Sequence, residues 1–240
     1  MQPGDDDWLT SLLPVVLSLS SSASYAYGFV GSSFVTTSDG CLITANHVAE
    51  ELHDIWWETR SSPVSERGMP GALYVPTSKP FLIPILDLKT FRNAAGAATD
   101  LALGLLALPA GPNNDLREMQ SLGFSGTPVK VGDEVTMVGY LHGGESVNEG
   151  AQVITTGGAL AAIPTVVTRM HDEVPGIPAP VFEMPCLMPG GMSGGPIFRT
   201  GTNEVVGVCS RGVSASDENP PYCYGSTIQP LLPLLDPPED

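Results

Sequence analysis

The chain has 240 residues, with 10 Lys and Arg against 26 Asp and Glu, which gives a formal net charge of −16 at pH 7. This acidity argues against nucleic-acid binding, because phosphate recognition relies on clustered basic side chains. Glycine (27) and proline (23) are abundant and only 15% of the residues are charged, which is typical of many short strands joined by tight turns. The length suits one all-β unit, since such domains run to about 200–250 residues.

No segment of the sequence predicts a membrane span or a secretion signal. No apolar run approaches the roughly 18 residues that cross a bilayer as a helix. The apolar stretch at 12–17 is short, and it follows Asp5, Asp6 and Asp7, where a secretory signal would carry positive charge. We therefore expect a soluble, cytoplasmic protein without a membrane partner.

The first half of the chain predicts a barrel of short strands, over residues 12–110, after an acidic tail at 1–11. Aromatic and β-branched residues favour strands, and Asp39-Gly40 is a hairpin signal. Residues 45–52 are the exception, because they indicate one or two helical turns. The strands are expected at 12–22, 27–37, 41–44 and 54–59, at one or two places within 73–91, and at 100–108.

The second half predicts another barrel, over residues 128–228, after a crossover at 111–127. The regular spacing of short strands and turns indicates a second barrel of similar strand count. A short C-terminal helix and tail are expected at 229–240. Residues 129–131 open this half and lead into a turn at 132–133. The strands are expected at 135–140, 151–156, 159–163, 165–170, 181–186, 196–199, 204–210 and 222–228.

A glycine-rich loop around Ser193 is the clearest chemical signal. It reads Gly190-Gly191-Met192-Ser193-Gly194-Gly195. Glycine permits positive φ, so such a loop could turn several backbone N–H groups toward one point and stabilise an oxyanion. Taken alone, the loop is equally well a turn between strands. A nucleophilic serine also needs a base and an orienting acid.

The order of residues along the chain decides between two hydrolase folds. All histidines, at positions 47, 53, 142 and 171, precede Ser193. In α/β-hydrolases the histidine follows the nucleophile, so that interpretation fails. An order of His, Asp and Ser remains, as in the chymotrypsin arrangement.

Three motifs in that order resemble those of chymotrypsin-fold serine peptidases, nearest the bacterial trypsin-like and HtrA-type branch. They are Thr44-Ala45-Asn46-His47-Val48, Thr99-Asp100-Leu101-Ala102-Leu103 and Gly191-Met192-Ser193-Gly194-Gly195-Pro196. The stretches 132–140 and 153–160 also resemble the strands that open the family's second barrel. The resemblance implies an all-β fold of two six-stranded antiparallel β-barrels and a serine endopeptidase acting on protein or peptide substrates without cofactor or metal.

Carried over residue by residue, the resemblance assigns a catalytic triad. His47 is the general base, Asp100 orients it, and Ser193 attacks the scissile carbonyl. The backbone N–H groups of Gly191 and Ser193 form the oxyanion hole. A regulatory protein partner is a further possibility that the family suggests.

The same comparison places the substrate-binding residues. Ser210, Arg211 and Gly212 match the strand that pairs with the substrate backbone, and Leu187 corresponds to the floor of the primary specificity pocket. The absence of an acid there argues against cleavage after Lys or Arg. An apolar or small substrate residue is expected instead, although Arg211 could favour an acidic one.

Alternatives remain open for several of these assignments. Asp87 and Asp115 compete with Asp100, while His53, His142 and His171 are expected to be ordinary surface histidines. The fold could also serve as a latent or inactive binding module, or the triad as an acyl or ester hydrolase. Met192 stands where the trypsin group carries an activating acid, so zymogen control through a freed N-terminus is not expected.

The cysteines do not predict a metal site. None of Cys41, Cys186, Cys209 and Cys223 forms a C-x-x-C pair, so zinc binding is not expected. Buried free thiols fit a reducing compartment, and Cys209 with Cys223 is the favoured pair if any disulfide exists.

Overall fold

The structure is a computed structural model that describes residues 6–21, 24–60, 68–74, 81–93, 95–108, 121–142, 159–178, 180–216 and 219–235. Within these ranges, thirteen strands fall into two antiparallel sheets, one from each half of the chain. The all-β fold and the division into two sheet halves are confirmed. The expected strand at 151–156 lies outside the described residues.

The first half forms a closed six-stranded barrel with the strand order β1-β2-β3-β6-β5-β4. Gly40, at φ 93°, closes the hairpin between β2 and β3, and its position confirms the Asp-Gly turn. Because β3 and β6 are antiparallel neighbours, the end of β3 at Thr44 lies beside the start of β6. The strands are β1 (Leu12–Ser21), β2 (Ser24–Val35), β3 (Cys41–Thr44), β4 (Met69–Tyr74), β5 (Phe81–Arg92) and β6 (Ala98–Leu106).

The second half forms a sheet with the order β8-β7-β11-β12-β13-β10-β9. Its two edge strands, β8 and β9, are consecutive in sequence and separated only by Val167 and Thr168. Val167 donates to the Asp133 carbonyl beside β7, and Thr168 donates to the Glu183 carbonyl of β10, both at 2.9 Å. The segment therefore acts as one bent strand that joins both edges, which makes the sheet a six-stranded barrel. The strands are β7 (Glu134–Leu141), β8 (Ala159–Val166), β9 (Arg169–His171), β10 (Val181–Met184), β11 (Pro196–Arg199), β12 (Val205–Val213) and β13 (Tyr222–Thr227).

The helix α1 spans Asn46–Thr59 and corrects the strand predicted at 54–59. The segment carries apolar residues at helical spacing, with Val48 and Leu52 fully buried and Ile55 and Trp56 packed beside them. This stripe covers one face of the first barrel. Tertiary packing therefore outweighs the strand preference of the aromatic and β-branched residues.

The observed elements differ from the predicted ones in smaller ways as well. Residues Asp6–Ser11 form a 3₁₀ helix instead of a tail, and β4 begins at Met69, before the strand region expected at 73–91. Residues 129–131 lead into a turn at Gly132, as the sequence predicts. The C-terminal helix is confirmed as a 3₁₀ turn, Gln229–Leu231, followed by α2, Leu232–Leu235.

One apolar cluster joins the two barrels. Its buried members come from both halves, so neither sheet would bury this surface alone. The cluster packs β3 and β6 of the first barrel against β7 and β12 of the second, and its member Leu101 directly follows Asp100. The members are Leu12, Phe34, Ile43, Leu101, Leu122, Val138, Phe198, Val205, Val208, Ile228 and Leu231.

Candidate active site

The loop between β10 and β11 presents Ser193 between two glycines with positive φ, Gly191 at 93° and Gly194 at 88°. A Cβ on Gly191 would lie 2.6 Å from the Phe29 ring and 2.8 Å from the backbone of Tyr140. One on Gly194 would overlap the Ser32 carbonyl oxygen. Glycine is therefore required at both positions by conformation and by space.

Met192 anchors this loop through apolar packing. Its side chain is fully buried in the core of the second barrel, and a Cβ on Gly139 would lie 2.8 Å from its Cα. An acid at this position would need a buried cation, since an unpaired charge is costly to bury. The loop is held by packing where the trypsin group uses an acid.

His47 and Asp100 meet at the junction of strand and helix ends. β3 ends at Thr44 and α1 begins at Asn46, so His47 lies in the first turn of the helix, as the sequence indicates. Its ring Nδ1 lies 3.0 Å from both carboxylate oxygens of Asp100, and its backbone N–H donates to the same carboxylate at 3.1 Å. The carboxylate therefore fixes both the ring and the backbone of His47.

Asp100 is the third residue of β6 and is only 2% exposed. Burial alone would raise the pKa of its carboxyl, but hydrogen bonds from His47 and Ser210 hold that pKa below its ordinary value. The Ser210 hydroxyl is the second side-chain donor to the carboxylate. Asp100 therefore stays ionised through the neutral pH range.

Ser210 also contacts Ser193, through its backbone. The Ser193 hydroxyl donates its hydrogen bond to the Ser210 carbonyl oxygen at 2.9 Å. One residue of β12 thus bonds to the carboxylate with its side chain and to the serine hydroxyl with its main chain. The proton of Ser193 is directed at this carbonyl and not at His47.

The backbone near Gly191 has a fixed orientation. The Gly190 carbonyl accepts a hydrogen bond from the His142 N–H at 3.0 Å. In a trans peptide the N–H points opposite to the C=O, so the Gly191 N–H points away from His142. Within the described residues, the N–H groups of Gly191 and Ser193 donate to no protein acceptor.

Ser32 of β2 is a site residue that the sequence analysis missed. Its N–H donates to the Ser193 carbonyl at 2.8 Å, and its hydroxyl donates to the Gly191 carbonyl at 2.8 Å. The same hydroxyl accepts from the Tyr140 N–H at 2.8 Å, while the Ser32 carbonyl accepts from Thr44 at 2.7 Å. A small polar residue in a strand gives no local signal for such a role, because these partners come from three distant segments.

The space between residues 188–190 and residues 210–212 is called the substrate slot below. A Cβ on Gly212 would lie only 2.9 Å from the Met188 carbonyl oxygen, so the two walls are in contact at this level. Leu187, expected at an enclosed floor, instead has a side chain that is 52% exposed. Met188, the next residue, is the buried one, because it turns into the core of the second barrel.

The open edge of β12 lies beside this slot. β11 pairs with β12 only as far as Val208, and the β12–β13 register shifts between Cys209 and Gly212. Residues 210–212 therefore extend past the end of β11 and have no strand partner on that side among the described residues. An extended peptide could add there as a further strand.

The rivals that the structure describes have other partners or are exposed. Asp87 is half exposed on β5 and pairs with Lys89 at 2.9 Å, and Asp115 lies outside the described residues. His53 lies within α1, not beyond it as predicted, and its side chain is 60% exposed. His171 pairs with Glu183 at 3.1 Å, and the His142 ring packs edge-on against Phe29.

Two general features bear on cofactors and membranes. Among the described residues, no three His, Cys, Asp or Glu side chains converge as metal ligands. None of the described helices combines the length and the apolarity that a bilayer-spanning segment needs.

Two antiparallel barrels with a His-Asp pair and a glycine-bounded serine at their junction define the class of chymotrypsin-fold serine endopeptidases. The sequence profile of the trypsin-like peptidase domain matches residues 31–208, and the chain belongs to this family. No curated protein sequence matches the chain significantly.

Solved structures with the same fold are serine proteases of low sequence identity. The active form of the Rv3671c protease from M. tuberculosis is 17% identical, with a TM-score of 0.54 over 99% of this chain and 86% of that one. The HtrA-type protease AlgW with a decapeptide is 10% identical, with a TM-score of 0.57 over 94% of this chain and 63% of that one. The thermostable serine protease AL20 from an extremophilic microorganism is 18% identical, with a TM-score of 0.55 over 91% of each chain.

Proposed function

We propose that the protein cleaves peptide bonds through a triad of His47, Asp100 and Ser193. The observation that carries the proposal is a continuous set of hydrogen bonds: His47 pairs with the Asp100 carboxylate, the Ser210 hydroxyl donates to that carboxylate, and the Ser193 hydroxyl donates to the Ser210 carbonyl. Residues from β6, α1, β12 and the glycine loop meet there, although more than 50 positions separate His47 from Asp100.

Each group has a defined part in the reaction. Rotation of the Ser193 side chain brings its hydroxyl from the Ser210 carbonyl to Nε2 of His47, which accepts the proton as Ser193 attacks the substrate carbonyl. The Asp100 carboxylate holds Nδ1–H and stabilises the imidazolium that results. His47 then donates the proton to the leaving amine, and water hydrolyses the acyl-enzyme by the same sequence in reverse.

The developing oxyanion would accept hydrogen bonds from the N–H groups of Gly191 and Ser193. The support is that both N–H groups are unused by the described protein and that the Gly190 carbonyl is already held on the opposite side by His142. Loss of one such donor costs about 3–4 kcal/mol of transition-state stabilisation. The substrate backbone would pair with residues 210–212 along the open edge of β12.

The substrate class that the slot favours is a peptide with a small, uncharged residue on the acyl side of the scissile bond. The close approach of Met188 to Gly212 narrows the slot at this level, which would disfavour a ring or a long side chain. We also propose that the substrate is a protein, that nucleic acid is not a partner, and that a protein partner could regulate the site. The net charge of −16 supports the exclusion of nucleic acid, since it repels phosphates.

We propose that the protein is bacterial and cytoplasmic. We also propose that residues 1–240 form a single peptidase domain. The family resemblance supports a bacterial protein. The thiols Cys186 and Cys223 lie side by side without a disulfide, which a reducing compartment would maintain.

The proposal is tested by labelling the full chain with a fluorophosphonate probe and by peptide cleavage. We expect one covalent label, lost in Ser193→Ala and retained in Ser38→Ala, a matched change at an exposed turn serine. A library of peptides should show cleavage after Ala or Gly in preference to Phe, Arg or Glu. Equal labelling of Ser193→Ala would contradict the assignment of the nucleophile, and small esters turned over without any peptide cleavage would identify an acyl hydrolase.

A latent binding module is the second candidate, because the Ser193 hydroxyl is bonded to Ser210 and not to His47. Under this alternative the probe would not react, while peptides would still bind along β12. Binding of a peptide without cleavage or labelling would favour it over the endopeptidase.

A further inference from the structure

Two thiols lie beneath the walls of the substrate slot. Cys186 follows β10 and begins the segment that leads through Met188 to Ser193. Cys223 lies on β13 directly opposite Gly212, the residue that forms the other wall. Their sulfur atoms are 3.6 Å apart. The pair that comes together is thus Cys186 with Cys223, and not the Cys209–Cys223 pair that the sequence favours.

The gap between the two sulfurs is small enough to close. A disulfide has an S–S length of about 2.0 Å, so the sulfurs would have to approach by roughly 1.6 Å from the observed 3.6 Å. Cys186 lies in a loop and is partly exposed, whereas Cys223 is fully buried in a strand. The loop can supply the movement, and only its thiol is open to a reagent from solvent.

The two thiols differ in pKa, so they could react one after the other with an oxidant. The hydrogen bond between Cys186 and Cys223, helped by one with Thr165, lowers the pKa of Cys186 to about 6, against the opposing effect of burial. The same hydrogen bond, together with burial, raises the pKa of Cys223. This difference favours Cys186, the partly exposed thiol, as the nucleophile that attacks an oxidant, and Cys223 as the protonated neighbour that resolves the product.

We propose that Cys186 and Cys223 are a reversible dithiol–disulfide site, oxidised by a hydroperoxide. The Cys186 thiolate attacks one peroxide oxygen, the O–O bond breaks, and a sulfenic acid forms as hydroxide or alkoxide leaves. The Cys223 sulfur then loses its proton and attacks the sulfenic sulfur, and the S–O bond breaks to release water. Two thiols lose two electrons in total, and one peroxide is reduced.

The consequence for the slot rests on the proposed peptidase function. Met188, two residues after Cys186, already touches Gly212, the partner of Cys223. A disulfide between Cys186 and Cys223 ties these walls together and prevents the slot from widening. Oxidation should therefore penalise substrates with a large acyl-side residue more than substrates with alanine there.

The first experiment maps the disulfide on the full-length wild-type chain and needs no activity. The reduced protein is treated with hydrogen peroxide, the remaining thiols are alkylated, and peptides are analysed by mass spectrometry. We expect a Cys186–Cys223 crosslink that dithiothreitol reverses, with Cys41 and Cys209 alkylated throughout. Free Cys186 and Cys223 after peroxide treatment, or a crosslink to Cys209, would overturn the proposal.

Variants separate the two steps. Cys223→Ser should accumulate a sulfenic acid at Cys186 that dimedone labels, whereas Cys41→Ser, a change in the other barrel, should crosslink like the wild type. If Cys223→Ser fails to fold, Cys186→Ser tests the same point, because Cys223 should then resist oxidation. Rapid oxidation of Cys223 in Cys186→Ser would contradict the order of the steps.

The second experiment compares peptide cleavage by the reduced and oxidised wild type. Oxidation should lower kcat/KM for a peptide with Phe before the scissile bond about tenfold more than it lowers kcat/KM for the matching Ala peptide. A factor of this size is typical of the discrimination between substrates by the shape of a pocket. Equal losses for both peptides would overturn the link to the slot. A reduced enzyme that cleaves neither peptide would overturn the proposed function, while the mapped crosslink would still establish the disulfide site.

Discussion

At the scale of single residues, the site is organised by side chains that each serve several partners. Ser32 bonds with its N–H and hydroxyl to Ser193 and Gly191, and Ser210 joins Asp100 to Ser193. Their hydrogen bonds fix the position of the groups that are proposed to react. Their effect should therefore appear in kcat as well as in stability.

Ser32→Ala tests this positioning role. The change leaves the Tyr140 N–H and the Gly191 carbonyl without their partner, so we expect the free energy of unfolding to fall by about 1–3 kcal/mol. We also expect kcat to fall because the loop that carries the N–H groups of Gly191 and Ser193 loses its support.

Ser33→Ala is the matched control, since the neighbouring hydroxyl donates to the Leu13 carbonyl inside the first barrel at 3.0 Å. Chemical denaturation and steady-state kinetics measure both effects. A loss of stability in both variants with kcat unchanged in Ser32→Ala would show that Ser32 is merely structural.

Asp100 should make stability depend on acid pH. Its pKa is lowered in the folded protein despite burial, because His47 and Ser210 bond to the carboxylate. Relative to the unfolded value of about 3.9, the ionised form stabilises the fold above about pH 4, and this contribution disappears as pH falls through the folded-state pKa.

Asp100→Asn provides the comparison, because it removes the charge at similar size. We expect urea unfolding to show wild type more stable than Asp100→Asn at neutral pH, with the difference shrinking as the pH falls below about 4. A difference that does not vary with pH would mean that the carboxylate is not stabilised by these bonds.

At the scale of elements, α1 shows how packing decides local structure. The strand predicted at 54–59 becomes the end of a helix because Val48, Leu52 and Trp56 share one face at intervals of four residues. That face lies on the first barrel, and the same helix carries His47 in its first turn. The position of the proposed base thus depends on the burial of the helix behind it.

Leu52→Ala should therefore affect both the barrel and the site. Leu52 is 1% exposed, and we expect a loss of about 2–5 kcal/mol in the free energy of unfolding. Glu51→Ala, at the adjacent exposed position, should change stability by less than about 0.5 kcal/mol. Thermal or chemical unfolding distinguishes them, and equal stability of the two variants would contradict the packing of α1.

At the scale of the whole molecule, the two barrels share one core, so they should unfold together. The inter-barrel cluster takes Phe34 and Leu101 from the first half and Phe198 and Val208 from the second. The active-site geometry spans this junction. Separation of the barrels would pull His47 and Asp100 away from Ser193.

Phe198→Ala tests this coupling, because all tryptophans, at positions 8, 56 and 57, belong to the first half. We expect the loss of the buried ring to cost about 3–5 kcal/mol and to shift the tryptophan fluorescence transition as much as the circular dichroism transition. A wild type that unfolds in two steps, or a fluorescence transition that Phe198→Ala leaves in place, would contradict a shared core.

The barrel halves, the serine loop and the candidate triad could be predicted from the sequence alone. Turns, alternating strands and the order of His, Asp and Ser are local or linear signals. Prediction from the sequence failed at 54–59 and at Ser32, where the deciding contacts come from distant segments. The tertiary structure was needed to show which thiols meet, how closely Met188 approaches Gly212 across the substrate slot, and that Ser193 bonds to Ser210. These are distances between residues on different strands, set by the register of β10, β12 and β13 and by the packing of the two barrels, which no short stretch of sequence encodes.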